Sequence, residues 1–210
     1  MGRGQRRGEA RFLALKPFFG KLFLRLAGWR AVGNPPADQG CVVVCAPHTS
    51  NVDYLLMLMV SWVCDFKLSW LGKTELFKPP LGWLMKATGG VPVDRRAPNG
   101  LVGQLVDEFH RNPELILAIP PEGTRGQTDH WKSGFYRIAQ QAGVPYVLAF
   151  IDKSTKTTGF GPVVVPSGDL RADMDIARKF YADKVGLKHV NFGEIRLREE
   201  DDEPRANAAS

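Results

Sequence analysis

Disulfide-forming cysteines, long hydrophobic runs and nucleophile motifs are all scarce in this chain, and each shortage removes a class of protein. Only three cysteines, Cys41, Cys45 and Cys64, occur among 210 residues. An odd, small number with no signal peptide ahead of it predicts a reducing compartment rather than a disulfide scaffold. Cys41, Cys45 and His48 have the residue types of metal ligands. Yet Cys41–Val42–Val43–Val44–Cys45 reads as a buried strand and a fourth ligand is missing nearby, so no metal is expected. Between Arg11 and Arg30 no uncharged stretch approaches the roughly 20 residues that span a bilayer. The other apolar run, Tyr54 to Cys64, lies between Asp53 and Asp65 and reads as a buried helix. There is no Gly-x-Ser-x-Gly elbow. A Gly-x-x-x-x-Gly-Lys-Ser/Thr loop and a dinucleotide fingerprint after a first strand are missing too, so ATP and NAD are not expected.

What is present suits one folded domain. Hydrophobic residues make up 44% and charged residues 24% of the sequence, ordinary for a soluble α/β protein of this length. The net charge of +6 is concentrated at one end: residues 1–30 hold eight of the 28 Lys and Arg but only one acid, Glu9. The remainder is close to neutral. A nucleic-acid-binding fold would spread its basic stripe over a structured face, so nucleic acid is not an expected partner. In the same segment Phe12, Leu13, Leu15, Phe18, Phe19, Leu22, Phe23, Leu24, Leu26 and Trp29 interleave with the cations. Such a helix suits an anionic membrane interface, although a terminal helix that docks on the domain would carry a similar pattern. The expected organisation is a basic amphipathic membrane-association segment over 1–33, one domain over 34–198 and a disordered tail over 199–210.

Strands are expected at Cys41–Ala46, Lys67–Leu71, Gly90–Val93, Leu115–Ile119, Tyr146–Ile151 and Val163–Val165, with a weaker one at Glu194–Leu197. Helices are expected at Asn51–Cys64, Pro80–Ala87, Gly100–Arg111, Ser133–Ala142 and Ala172–Asp183. This alternation, with β-branched runs that lack polar alternation, predicts an α/β fold. A mostly parallel or mixed central sheet of about seven strands would be covered by helices. Sites in open α/β sheets gather at the carboxyl ends of strands. His48 and Asp53, Asp94–Arg95–Arg96, and Glu122–Gly123–Thr124–Arg125 fall there.

His48 and Asp53 cannot meet on regular structure. On a strand they face opposite sides, and on a helix they lie about 140° apart. A strand ending at Pro47 and a helix starting near Asn51 would place Asp53 in the first turn, able to reach the imidazole. The acid would then fix the tautomer and leave Nε2 as a general base. The plainer alternative is that Thr49, Ser50 or Asn51 caps the helix, Asp53 complements its dipole and His48 is incidental. With no enzyme nucleophile evident, a base here would activate a hydroxyl of the substrate. Arg95, Arg96, Arg125 and Lys132, all in loop-like sequence, suit a phosphate group.

Taken together, the residues resemble the four sequence blocks of the glycerolipid acyltransferases, most like the bacterial 1-acylglycerol-3-phosphate type. The blocks are His48-x4-Asp53, Val93–Asp94–Arg95, Pro121–Glu122–Gly123–Thr124–Arg125 and Val144–Pro145–Tyr146–Val147. The stretch Trp131–Lys132–Ser133–Gly134–Phe135 matches as well, and the likeness runs from about residue 40 to 170. It implies a glycerol-3-phosphate acyltransferase-like fold, with His48 as base and Asp53 as its orienting acid. Arg95, Glu122, Gly123, Thr124, Arg125 and Lys132 would bind the glycerol phosphate, and Arg96, Lys73 and Lys156 are further candidates. No bound cofactor or metal is implied. The donor would be acyl-CoA or acyl carrier protein, the acceptor a lysophospholipid, and the location the cytoplasmic face of the membrane. Pro47, Pro120 and Leu148 or Ala149 depart from the family's usual residues, which leaves open a different acceptor such as a lyso-aminolipid or glycolipid. A non-catalytic membrane-lipid-binding module is the remaining alternative.

Overall fold

A computed structural model describes residues 3–36, 38–48, 50–94, 100–123, 128–187 and 194–202, with side chains from 15 onward except those of 51 and 202. Helix α1, Arg3–Leu26, leads into strand β1, Arg30–Val32. Strand β2, Cys41–Ala46, is followed by α2, Asn51–Val63. Next come β3, Leu68–Lys73, a 3-10 turn over Thr74–Phe77, α3, Gly82–Ala87, and β4, Gly90–Val93. Helix α4, Gly100–Arg111, precedes β5, Ile116–Ile119, and α5, Gly134–Ala142. Strands β6, Tyr146–Asp152, and β7, Thr157–Val164, form a hairpin; α6, Leu170–Tyr181, and α7, Glu199–Asp202, close the chain.

The seven strands form one sheet in the order β1-β7-β6-β2-β5-β3-β4. Every pair is parallel except β6 with β7. The expected mixed, helix-covered sheet is therefore present. Its centre is β2, where both faces are buried: Val42 and Val44 point to one core, Cys41 and Val43 to the other. That explains an apolar run without alternation. Leu105 and Phe109 of α4, Phe135 and Ile138 of α5 and Met174 of α6 cover the first face. Leu56, Met57 and Val60 of α2, with Leu24 of α1 outside them, cover the second.

Helix α1 divides its apolar residues between two directions. Leu24 is buried, and Gly20 lies so close to α2 that a Cβ there would stand 2.9 Å from the Met59 carbonyl oxygen. Any larger residue would push the helices apart. Leu15, Phe18, Phe19, Leu22 and Leu26 stay exposed. Their spacing of three, four, seven and eleven from Leu15 makes them one helical stripe. Among the described residues no helix is long and apolar enough to cross a membrane.

The structure departs from the sequence expectations mainly at four places. Arg30–Val32, assigned to the entry segment, adds an edge strand beside β7. The last sheet strand starts at Thr157, not Val163, because the hairpin with β6 recruits Thr-Thr-Gly-Phe. Glu194–Leu197 forms no strand, only a single bridge from Leu197 to Trp131. At the expected disordered tail, Glu199–Asp202 forms a helical turn in which Glu200 is buried. Its carboxylate accepts from Leu197 N–H at 2.8 Å and from Arg178 at 2.9 Å, satisfying the charge that composition alone assigns to solvent.

Candidate active site

Strand β2 delivers the site to the carboxyl edge of the sheet. Beyond Ala46 the chain passes through Pro47 and His48 to Ser50, the N-cap of α2. The Ser50 side chain accepts from Val52 N–H, and Asp53 at the third helical position accepts from the Ser50 N–H at 2.7 Å. This reciprocal capping box holds the Asp53 carboxylate at the helix start. The same oxygen, Oδ2, lies 3.4 Å from His48 Nδ1. Helix capping and the histidine contact were alternatives in sequence, but here one carboxylate does both.

A second carboxylate comes from the neighbouring strand. β2 and β5 are parallel, with Val44 opposite Ile119, so the residues just beyond each strand leave the sheet side by side. His48 N–H donates to Glu122 Oε1 at 3.0 Å. Glu122 is 2% exposed, and its other oxygen has no hydrogen-bond partner among the described residues. Burial raises its pKa, and the hydrogen bond from the His48 N–H only partly offsets this. Burial, reinforced by the Glu122 and Asp53 charges, pushes the Cys45 thiol up to about 12. A thiol so protonated is no nucleophile at neutral pH, which agrees with the absence of a nucleophile motif.

Gly123 follows in a left-handed conformation, φ +66°, with its N–H donating to Pro120 O at 3.2 Å. A Cβ at Gly123 would stand 2.7 to 2.9 Å from Lys132 Cε, Cδ and Nζ, so the lysine stem lies across the bare backbone. Lys132 N–H donates to Pro121 O at 2.8 Å, fixing that arrangement. Trp131 N–H in turn donates to Arg196 O, so the C-terminal segment braces the lysine loop.

His48 and Asp53 line a cavity of about 560 Å³ between α2 and the sheet. Its other walls are chiefly apolar: Met57 from α2, Leu68 and Trp70 from β3, Ala118 from β5, and Ala149 and Ile151 from β6. Tyr54 also faces it, its hydroxyl donating to Thr88 O at 3.3 Å. Of these wall residues only Ala149 was singled out from sequence, as a departure from the family's usual residue. The available signal was the i, i+3 spacing of Tyr54 and Met57 on a helix whose first turn carries Asp53.

His48, Asp53, Glu122, Gly123 and Lys132 are therefore linked by contacts. Lys73 ends β3 as an exposed cation, and Lys156 reaches the Gly28 turn at the β1 edge of the sheet. The described contacts join neither to the His48 cluster. Arg95, Arg96, Thr124 and Arg125 lie outside the described residues.

The family model described as Acyltransferase matches residues 30–151. The chain belongs to the acyltransferase family. The match spans more than half of this acyltransferase and contains His48, Asp53, Glu122, Gly123 and Lys132. Among solved structures, the acyltransferase is similar to PlsC of Thermotoga maritima, a 1-acyl-sn-glycerophosphate acyltransferase. The TM-score is 0.57 with 18% identity, over 87% of this chain and 81% of that one. The two share a fold. No curated protein sequence matches the chain.

Proposed function

We propose that this acyltransferase moves an acyl chain from acyl-CoA or acyl carrier protein to the free hydroxyl of a lysophospholipid, with 1-acylglycerol-3-phosphate as acceptor and phosphatidic acid as product. The observation that carries the reading is the His48–Asp53 pair opening onto an apolar cavity of about 560 Å³. Apolar walls of this extent beside a polar pair suit a hydrocarbon chain. The similarity to PlsC of Thermotoga maritima, a 1-acyl-sn-glycerophosphate acyltransferase, supports the choice of substrate.

In this reading Asp53 Oδ2 faces the His48 Nδ1–H, leaving Nε2 to take the proton of the acceptor hydroxyl. The oxygen attacks the thioester carbonyl. The tetrahedral adduct collapses with cleavage of the C–S bond, and the imidazolium returns its proton to the departing thiolate. A C–O bond forms, a C–S bond breaks, and the histidine ends neutral. Lys132, held over Gly123, supplies a point charge for the acceptor phosphate, together with Arg95, Arg96, Thr124 and Arg125. The exposed apolar stripe of α1, with Lys21 and Arg25 beside it, holds the enzyme peripherally at the cytoplasmic membrane face, where its acceptor resides.

Incubation with labelled acyl-CoA and a panel of lysolipids, read by mass analysis, tests the assignment. Phosphatidic acid is the expected product, and His48→Ala should lower turnover by about 10²–10⁴-fold or more. Acylation of a lyso-aminolipid in preference to lysophosphatidic acid would overturn the acceptor, and an active His48→Ala protein would overturn the mechanism.

A further inference from the structure

The 3-10 turn Thr74–Phe77 and helix α3 form a ledge after β3 that half-buries one aromatic ring and exposes most of its other large apolar side chains. Phe77 turns inward, its ring 6.2 Å from that of Trp70. Around it Leu76 is 48%, Leu81 59%, Trp83 72% and Leu84 37% exposed. Four large apolar side chains within nine residues face water, a local concentration of the kind that marks a docking surface.

The surrounding charge identifies the occupant. Lys73, Lys78 and Lys86 are exposed along the same segment, which carries one acid, Glu75. Exposed tryptophan and leucine flanked by lysines match the water–lipid boundary, where the indole sits at headgroup depth and lysine stems snorkel. Leu76 belongs at once to this exposed patch and to the wall of the His48 cavity. Leu76 therefore joins the ledge to the cavity.

We propose that this ledge is a second membrane contact, distinct from α1, that sets the mouth of the cavity against an anionic lipid surface. A chain still embedded in the bilayer then enters past Leu76 without crossing water. The entry route rests on the proposed acyl-transfer reading; the lipid contact does not, because it is measured without turnover.

The test uses the full chain with vesicles of phosphatidylcholine, with and without phosphatidylglycerol. Tryptophan emission quenched by brominated phosphatidylcholine should be strong in the native protein and clearly weaker in Trp83→Phe, the remainder coming from half-buried tryptophans such as Trp29 near α1. Leu81→Glu with Trp83→Ala should weaken partitioning about tenfold. Lys78→Glu with Lys86→Glu should weaken it about tenfold or more on phosphatidylglycerol vesicles only, each cation being worth about fivefold. All of these positions are exposed, so circular-dichroism melting should be unchanged. Equal quenching in Trp83→Phe, or partitioning within twofold in both double variants, would overturn the proposal. So would double variants that partition normally but accept acyl groups poorly from acyl carrier protein alone, which would make the ledge a dock for that acidic protein.

Discussion

Replacing Asp53 by Asn isolates the electrostatic role of the acid from its structural one. Asp53 Oδ2 accepts from Ser50 N–H at 2.7 Å and lies 3.4 Å from His48 Nδ1. An asparagine oxygen can keep the first contact, so the helix start should survive. What disappears is the full negative charge beside an imidazole that, in the proposed mechanism, becomes cationic as it takes the hydroxyl proton. At 3.4 Å that attraction is about 5 kcal/mol at an effective dielectric of about 20 and about 1 kcal/mol in water. The Asp53 side chain is 6% exposed and that of His48 23%, placing the pair between these limits. With each 1.36 kcal/mol worth tenfold in rate, kcat should fall about 10²-fold. The melting temperature should stay within about 2 °C. Asp53→Ala also breaks the capping box, removing about 1 kcal/mol and lowering the midpoint by roughly 2–4 °C. Ser50→Ala serves as control, losing similar stability with kcat within a few fold. Steady-state kinetics and thermal melting of the three variants decide the matter. Asp53→Asn within threefold of native kcat, or rate losses that merely follow lost stability, would refute the reasoning.

Two further outcomes follow from the block around Glu122. Burial raises the pKa of this carboxyl, so its ionisation disfavours the folded state. Below the unfolded carboxyl range, near 4.5, both states are protonated and the group is neutral in effect. As pH rises through that range toward the folded value, the unfolded chain ionises first and stability is lost. Glu122→Gln, which keeps an oxygen for the His48 N–H, should therefore match the native melting temperature at about pH 4 and exceed it at pH 7. An advantage that shrinks with rising pH would contradict this. Gly123→Ala should lower stability by about 1 kcal/mol, because φ +66° disfavours a Cβ. Displacement of the Lys132 ammonium should then raise KM for a phosphate-bearing acceptor more than it lowers kcat, measurable against a neutral lysolipid.

The legible parts of this fold were those written in local chemistry. β2 is an unbroken apolar run, and α2 opens on Ser50 with Asp53 three residues later, so strand, turn and helix start were all visible before the structure. Arg30–Val32 carries no such pattern: three residues with mixed polarity become a strand only because β7 offers them an edge. Likewise Glu199–Asp202 reads as acidic tail until Arg178, distant in sequence, meets Glu200. In the site, the stretch from His48 to Asp53 left a contact between the two and a plain helix cap as alternatives, and the likeness to the acyltransferase blocks favoured the contact. Their link to Glu122 was not legible, since it depends on β2 and β5 being neighbours although α2, β3, α3, β4 and α4 lie between them in the chain. The cavity was invisible for the same reason, being assembled from one helix and four strands.

That long-range link changes the task assigned to Glu122. In sequence it belongs with the phosphate-binding residues, yet its Oε1 is engaged with the His48 backbone at 3.0 Å and the side chain is buried. A carboxylate so placed would also repel a phosphate. Its useful effect is geometric. The His48 side chain is held by Asp53 and its peptide by Glu122, so the imidazole is restrained from α2 and from the loop after β5 at once. Because Gly123 and the Lys132 stem follow directly on that loop, the base and the proposed headgroup cation share one brace.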